Sequence, residues 1–236
     1  MNGYPTADDF QKYRVTNPAQ SEVIRQRLYD FLLYPAAGQS QFTFFSQPAG
    51  AGITSAAGAV AGTSKTQSDT NLEVPNTLPS GKTFMIESIE VLFWPGSVNT
   101  ANTYTKALLA DFSTVAADAA VGAFNDVDTI LQSGLLELNV LSKNYIRDTP
   151  LQAFPPKAYI ATDGAAVASN AAATGIAAIG RANALGRPYY LEPPVVLQAA
   201  VNFEVLIKYP SGVATPSGFN GRIGVVLDGY MMRASQ

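Results

Sequence analysis

The stretches VNFEVLIKY (Val201–Tyr209) and RIGVVLDGYM (Arg222–Met231) alternate apolar and polar residues with the two-residue period of half-buried β-strands. The apolar face of the first stretch consists of Val201, Phe203, Val205, Ile207 and Tyr209. One face of the second consists of Ile223, Val225 and Leu227. We therefore expect two amphipathic strands near the end of the chain, each with one face on a β core.

Similar strand signals occur through most of the remaining sequence. Strands are predicted at Gln41–Ser46, Asn71–Val74, Phe84–Trp94, Tyr104–Phe112, Leu135–Leu141, Lys157–Ala161 and Tyr189–Ala199. A shift of phase at Ser88 indicates a β-bulge or bend. The pair Pro193–Pro194 predicts that this part of its strand lies at a sheet edge or a bend. Segments 48–65 and 163–186 are rich in Ala and Gly and are predicted loops, and 114–132 is expected to include a short helix.

The N-terminal part predicts a different organisation. Residues 1–16 are polar and are expected to form an arm. Asn17–Pro18 has the residue types that begin helices, and Pro35 would end one. Between them apolar residues recur at helical spacing, at Ile24, Leu28, Phe31 and Leu32. Ser21–Leu33 is therefore predicted to be an amphipathic helix, packed either on its own domain or on a neighbouring subunit or internal layer.

These elements predict an all-β fold. Eight or nine strands without intervening helices favour an antiparallel sandwich over a parallel α/β sheet. Eight strands and long loops are typical of a single jelly-roll β-sandwich, whereas a tandem double roll would need about twice as many strands. The expected organisation is an arm and amphipathic helix in residues 1–34, followed by a jelly-roll β-sandwich with long Ala/Gly-rich loops in residues 35–236.

The composition limits the function classes. Apolar residues make up 47% of the 236 residues and charged residues only 14%, which is typical of a subunit whose surface is covered by neighbours and also of an Ala/Gly-rich monomer. The net charge of −3, with scattered basic residues, argues against specific nucleic-acid binding. The sequence contains no run of about 18 consecutive apolar residues, so no membrane-spanning helix is predicted. The first residues lack the apolar segment of an export signal, so synthesis in the cytoplasm is expected.

Residues that usually carry catalysis are scarce. The chain has no histidine and no cysteine, so neither a Ser-His-Asp triad nor a thiolate site is expected. Glu87 and Glu90 are predicted to point to opposite faces of one strand, whereas Glu137 and Glu204 lie on separate strands that could approach each other. The oxygen-rich segment Asn125–Thr129 is interpreted as a turn or helix cap in preference to a calcium loop. We predict no catalytic, cofactor-binding or metal-binding residues.

Aromatic residues are more suggestive of binding. The only tryptophan, Trp94, is expected in the core or at an interface, and Tyr189–Tyr190 opens a predicted strand. Exposed aromatic residues are also typical of sugar-binding faces, which keeps a carbohydrate-binding role open. Arg181 and Arg187 flank an Ala-rich stretch and are interpreted as residues of a solvated loop.

Several stretches together resemble a known class of proteins. These are DFLLYPAAGQSQFTFF (Asp30–Phe45), DTNLEVPNTLPSGKTFMIESIEVLFWPG (Asp69–Gly96), PYYLEPPVVLQAAVNFEVLIKYP (Pro188–Pro210) and FNGRIGVVLDGYMMR (Phe219–Arg233). Over residues 20–236 the sequence is similar to jelly-roll capsid or capsid-associated proteins of bacteriophages. None of these stretches is a catalytic or ligand signature, and the chain is shorter than the large capsid proteins of phages with an internal membrane.

The resemblance implies a structural protein of the virion. A jelly-roll shell subunit, or major capsid protein, would self-assemble in many copies in an icosahedral shell, with other copies of itself and other virion proteins as partners. The arm, the predicted helix and the two Ala/Gly loops would supply contacts. A minor or decoration protein of the capsid, and a carbohydrate- or receptor-binding module on the virion surface, are the alternatives. No enzymatic activity, cofactor or specific nucleic acid is expected.

Overall fold

The structure of the chain is a computed structural model. The structure describes residues 21–51, 64–94, 97–100, 103–106, 126–157, 159–167, 177–184, 187–216, 218 and 220–234. The predicted arm, residues 1–16, lies outside these ranges.

Twelve β-strands occupy most of the described residues. Their bounds are β1 Ser21–Tyr34, β2 Gln41–Phe44, β3 Lys82–Trp94, β4 Ser97–Thr100, β5 Thr103–Lys106, β6 Leu135–Val140, β7 Lys143–Pro150, β8 Tyr159–Val167, β9 Ala177–Ala184, β10 Tyr189–Leu197, β11 Phe203–Lys208 and β12 Gly221–Ala234. Residues 126–133 are helical, and Leu151–Ala153 forms a short 3₁₀ turn.

Eight of the strands form two four-stranded antiparallel sheets. The first sheet has the order β1-β12-β3-β10, and the second has the order β2-β11-β6-β7. The remaining strands form the two-stranded ribbons β4-β5 and β8-β9. The expected all-β, antiparallel sandwich is therefore confirmed.

The pairing within the two sheets is nested along the chain. Strand β1 pairs with β12, β2 with β11, β3 with β10 and β6 with β7, so the first strand meets the last and the innermost two form a hairpin. The two remaining contacts, β12 with β3 and β11 with β6, join these pairs into sheets. The eight strands thus behave as one long antiparallel hairpin that is folded across two layers.

The core lies between the two sheets. One continuous cluster of buried apolar residues includes Ile89, Val91 and Leu227 from the first sheet and Leu138 and Val205 from the second. The alternating faces predicted for β11 and β12 lie on this core, because Phe203, Val205, Ile207, Ile223, Val225 and Leu227 are all buried. A smaller cluster of Met85, Tyr230 and Met232 lies on the outer face of the first sheet. Central strand β12 is therefore buried on both faces.

The predicted helix Ser21–Leu33 is wrong, because this segment is the long edge strand β1. It pairs in unbroken register with β12, from Ser21 opposite Ala234 to Tyr34 opposite Gly221. Ile24, Leu28 and Leu32 fit a helical stripe, but they also lie on one face of a strand. The polar residue Asp30 interrupts that face and obscured the two-residue period. The division at residue 34 consequently separates β1 from the sandwich to which it belongs.

Other predictions need smaller corrections. Strand β7 was not predicted, and Asn71–Val74 is not a strand, although Asp69–Asn71 follows the edge of β1 through a bridge between Asp30 and Thr70. Parts of the Ala/Gly-rich segment 163–186 pair as the ribbon β8-β9. The short helix expected within 114–132 corresponds to residues 126–133. Over the described ranges, no helix is both long enough and apolar enough to cross a membrane.

Candidate functional site

An aromatic groove lies along the edge strands of the two sheets. Its volume is about 640 Å³, and it is lined by residues of β7 and β10 that include Tyr145, Tyr189, Tyr190, Pro193 and Pro194. The side chains of Tyr145 and Tyr190 remain about half exposed, at 49% and 50%. The guanidinium of Arg187 stands 5.9 Å from the centre of the Tyr190 ring. Flat aromatic faces beside a cation suit contacts with a protein partner or with a sugar ring.

The sequence explains why this edge is irregular. The pairing of β10 with β3 begins at Tyr189 and breaks off after Tyr190. It resumes in a different register at Val195. Between them, Pro193 and Pro194 have no N–H to donate to a neighbouring strand. The predicted edge or bend at these prolines is confirmed, because β10 is the terminal strand of the first sheet. The prolines limit open-ended strand addition, and the neighbouring tyrosine side chains remain exposed.

A second group of polar residues lies on the outer face of the first sheet. We call it the Asp228 cluster, and it consists of Arg25, Arg27, Glu87, Glu90, Lys157 and Asp228. The Asp228 carboxylate is only 1% exposed, and its Oδ2 accepts a hydrogen bond from Arg25 Nη2 at 3.2 Å and lies 3.6 Å from Arg27 Nε. The Nζ of Lys157 contacts the same oxygen. Three cations therefore converge on one buried carboxylate.

A bulge in β3 brings both glutamates of that strand into the cluster. Asp228 lies opposite Ser88, whereas the next residue, Gly229, lies opposite Ile86, so Glu87 is the extra residue. Glu87 then reaches Arg25 at 3.8 Å, and Glu90 reaches Lys157 at 3.8 Å. The bulge predicted at Ser88 is confirmed, but the prediction that Glu87 and Glu90 serve opposite faces is wrong because the bulge reverses the alternation between them.

Lys157 enters this cluster from the connection between β7 and β8. Its backbone N–H donates to Glu90 Oε2 at 2.9 Å, which fixes the residue over the sheet. Burial lowers the pKa of its amine, and the nearby Arg27 and Arg25 lower it further, while Glu90 and Glu87 oppose the shift. The amine consequently loses its proton more readily than an exposed lysine. Among the described residues, Glu90 Oε1 and Asp228 Oδ1 are buried and accept no hydrogen bond.

Two further ion pairs are buried near β1, beneath the segment Asp69–Asn71 that follows its edge. Lys65 Nζ donates to Asp30 Oδ1 at 2.6 Å, and both side chains are fully buried. The other carboxylate oxygen of Asp30 accepts the backbone N–H of Phe45 at 2.6 Å. Burial raises the pKa of Asp30, and the adjacent Lys65 ammonium opposes that shift. Because both carboxylate oxygens of Asp30 accept hydrogen bonds, we interpret this pair as a structural contact.

The second buried pair joins the same segment to β12. Arg222 donates to Asp69 Oδ1 and to the carbonyl of Ser68, each at 2.6 Å. Its guanidinium lies 4.4 Å from the ring centre of Phe31, which in turn stacks on Trp94 at 5.0 Å. Trp94 is thus half-buried on the outer face of the first sheet and lies outside the main core, which was one of the two places predicted for it; the other, an interface, is not tested.

The other residues considered from the sequence have ordinary surroundings. Glu137 and Glu204 do lie on paired strands, but Glu137 bonds Lys208 at 2.5 Å and Glu204 accepts from Asn139 at 3.2 Å. Asp126 and Asp128 lie in the helical residues 126–133, and Asn125 falls outside the described residues, so the cap is untested. The described ranges contain no group of three acidic residues arranged to hold a metal ion. The side chain of Arg181 also lies outside them.

Sequence reasoning missed the main members of these buried networks. Lys65 falls in a segment interpreted as a loop, and Lys157 begins a segment interpreted as a weak strand. The available signal was the apolar setting of Asp30 and Asp228, because an acidic residue within an otherwise apolar strand needs a partner. That signal does not identify the cationic partner, because the partner lies in a distant part of the chain.

Comparisons with protein-family models, with curated proteins and with solved structures found no match.

Proposed function

We propose that this chain is a jelly-roll shell subunit of a bacteriophage virion, assembled in many copies as a capsid protein. Its partners are other copies of itself and other virion proteins, and its place is the capsid. The role is structural, with subunit contacts in place of a reaction.

The nested strand pairing is the observation that carries this proposal. A jelly roll consists of eight strands in two sheets, and it is a fold of viral capsid and lectin domains. Pairing of β1 with β12, β2 with β11, β3 with β10 and β6 with β7 is the order expected when one long hairpin is rolled into two layers. The resemblance of the strand sequences to phage capsid proteins supports the same function.

Surface composition adds support. Only 14% of the residues are charged, which lowers the cost of burying surface against neighbouring subunits. Several of the buried or half-buried charges are already paired within the subunit, as in Lys65–Asp30 and Arg222–Asp69. The aromatic groove at the β7 and β10 edge offers exposed tyrosines, which are enriched at protein interfaces. We assign this groove to contact with a second copy of the chain.

The direct test is the assembly state of the purified chain. Sedimentation velocity over a wide concentration range, together with electron microscopy, is expected to show closed particles in equilibrium with small oligomers. Many weak contacts make such assembly steeply dependent on concentration. A chain that stays monomeric at every concentration and never enters particles would overturn the proposal.

A matched pair of substitutions tests the groove. Tyr190→Asp places a charge in the aromatic groove, and Leu141→Asp places one on an exposed apolar residue that lines a different depression. We expect the first variant to shift assembly to higher concentration and the second to have little effect, with circular dichroism unchanged for both. Equal effects of the two substitutions would remove the groove from the interface.

The exposed tyrosines favour one second candidate, a carbohydrate-binding module on the virion surface. Tyr145, Tyr189 and Tyr190 present aromatic faces along one open groove. This function predicts saturable binding on a glycan array that is lost in Tyr190→Ala while the fold is retained. Absence of glycan binding by a folded, particle-forming chain would eliminate it.

A further inference from the structure

The Asp228 cluster has the parts of an amide-forming site. A lysine amine, a buried carboxyl group and a second buried carboxylate are brought together from three separate elements: the β7–β8 connection, β12 and β3. We propose that Lys157 and Asp228 condense to an intramolecular amide bond, with Glu90 as the proton carrier. This inference is independent of the proposed shell function.

Contact geometry is the first support. Lys157 Nζ touches the Asp228 carboxylate, and the Lys157 backbone N–H is anchored on Glu90 at 2.9 Å. The amine is therefore held against its target by two attachments to β3 and β12. Such fixed proximity replaces the entropy loss of a collision between two free groups and favours reaction.

Burial and charge provide the second support. Asp228 and Glu90 are 1% and 5% exposed, so water competes weakly with the amine. Burial lowers the pKa of Lys157, which increases the fraction of nucleophilic free amine. As the amine adds to the carboxyl carbon, negative charge grows on the oxygens of Asp228. Arg25 at 3.2 Å and Arg27 at 3.6 Å are placed to stabilise that charge.

The proton balance closes within the cluster. Glu90 takes a proton from the Lys157 ammonium, and the free amine attacks Cγ of Asp228 to form the C–N bond. Glu90 then relays this proton and a second nitrogen proton to one carboxyl oxygen, the C–O bond breaks and water leaves. One ammonium and one carboxylate become a neutral amide and water, and Glu90 ends ionised as it began.

The product also resolves a defect in the present arrangement. Buried polar atoms without a hydrogen bond are destabilising, and both Asp228 Oδ1 and Glu90 Oε1 are in that condition among the described residues. Condensation removes one oxygen of Asp228 and creates an amide N–H that can donate to Glu90. By contrast, the more deeply buried pair Lys65–Asp30 has both carboxylate oxygens bonded and, within the described part of the chain, no second carboxylate beside its lysine. We expect no amide there.

Mass spectrometry of the denatured full-length chain tests the proposal. The expected mass is lower than the sequence mass by one water, and a digest should contain a branched peptide joining Lys157 to Asp228. The conservative variants Lys157→Arg and Glu90→Gln are expected at their full sequence masses. Lys65→Arg is the control, because it alters the lysine of the other ion pair with a buried aspartate and should still lack one water.

One alternative reaction must be tested separately. Asp228 precedes Gly229, and attack by that backbone nitrogen would form a succinimide that also lacks one water. A succinimide would still form in Lys157→Arg and would open in mild base. The Lys157–Asp228 amide would be absent from Lys157→Arg and would be stable in mild base. A wild-type chain at full mass after prolonged incubation, or a water loss that persists in Lys157→Arg, would overturn the proposal. Complete condensation in Glu90→Gln would remove the role of Glu90.

Discussion

At the scale of single residues, this protein uses much of its small set of charges inside the fold. Asp30, Asp69 and Asp228 are each essentially excluded from solvent, and each has a cationic partner. Isolated buried carboxylates would be strongly unfavourable, so each of these pairs fixes where a distant segment must lie. The charges therefore contribute more to a unique arrangement of segments than to net stability.

The Lys65–Asp30 pair gives a prediction of stability. Lys65→Met leaves Asp30 buried without its cation, and we expect the free energy of unfolding to fall by about 3–5 kcal/mol. The matched control is Lys82→Met, which breaks a solvent-exposed pair with Glu73 and should cost at most about 1 kcal/mol. Urea denaturation measures both. Similar losses in the two variants would show that the buried pair has no special structural role.

Two buried phenols predict a decline of stability in alkaline solution. Burial raises the pKa of Tyr34 and of Tyr209, and nearby Asp126 and Tyr34, respectively, add to the shift. Unfolded tyrosine titrates near pH 10, so the unfolded chain loses these protons first. The stability is complete below about pH 10 and is lost as the pH rises above it.

Substitution by phenylalanine tests this dependence. Tyr34→Phe loses the hydrogen bond to the Val213 carbonyl, at 2.5 Å, and should cost about 1 kcal/mol at neutral pH while reducing the alkaline decline. Tyr145→Phe, at a half-exposed site, is the control and should leave the decline unchanged. The measurement is denaturant unfolding between pH 7 and 11. An identical decline in Tyr34→Phe and the parent chain would contradict the assignment.

At the scale of elements, β1 is the clearest lesson in what the sequence could and could not predict. The end of the segment at Pro35 and its amphipathic character were predictable, but Asp30 interrupts the core face in the two-residue pattern. The ion pair with Lys65 and the hydrogen bond from the Phe45 N–H make that position tolerable in a strand. By contrast, β11 and β12 were predicted because uninterrupted apolar faces mark them, and β3 was predicted because apolar residues alternate on both sides of its phase shift at Ser88. The site residues were harder, since alternation identifies a face but never its partner.

The contact between β1 and β12 makes a prediction about packing. A Cβ added at Gly224 would come within 2.0 Å of the Phe31 ring, so Gly224→Ala is expected to destabilise the fold by about 1–3 kcal/mol. Phe31→Leu makes room and should reduce the added cost of the alanine. A double-mutant cycle by thermal or urea unfolding measures this coupling. Strict additivity of the two changes would show that Phe31 does not limit this position.

Strand β1 also changes the expectation for N-terminal truncation. A chain that begins at Pro35 lacks β1 and exposes the edge of β12, so we expect it to lose cooperative folding. A chain that begins at Ser21 retains all of the strand pairings described here and should fold. Hydrogen exchange and thermal unfolding distinguish the two. A folded sandwich in the shorter chain would show that β1 is a detachable arm.

At the scale of the whole molecule, the antiparallel all-β class was predictable, but the order of the strands was not. The alternation at Phe203–Lys208 indicates that this strand has one buried face. It does not identify β2 and β6 as the neighbouring strands. The predicted helix also hid one of the eight sandwich strands, and polar β7 was missed because most of its residues are exposed. The nested order emerges only when all eight strands are placed together.

The meeting of the first and last strands has a consequence for how the protein is made. Residues of β1 and β12 that bond each other, such as Arg25 and Tyr230, stand 205 positions apart in the chain. Closing so long a loop is slow, and it must wait until the ribosome has released the final strand. A polypeptide cut short during translation therefore never completes its first sheet.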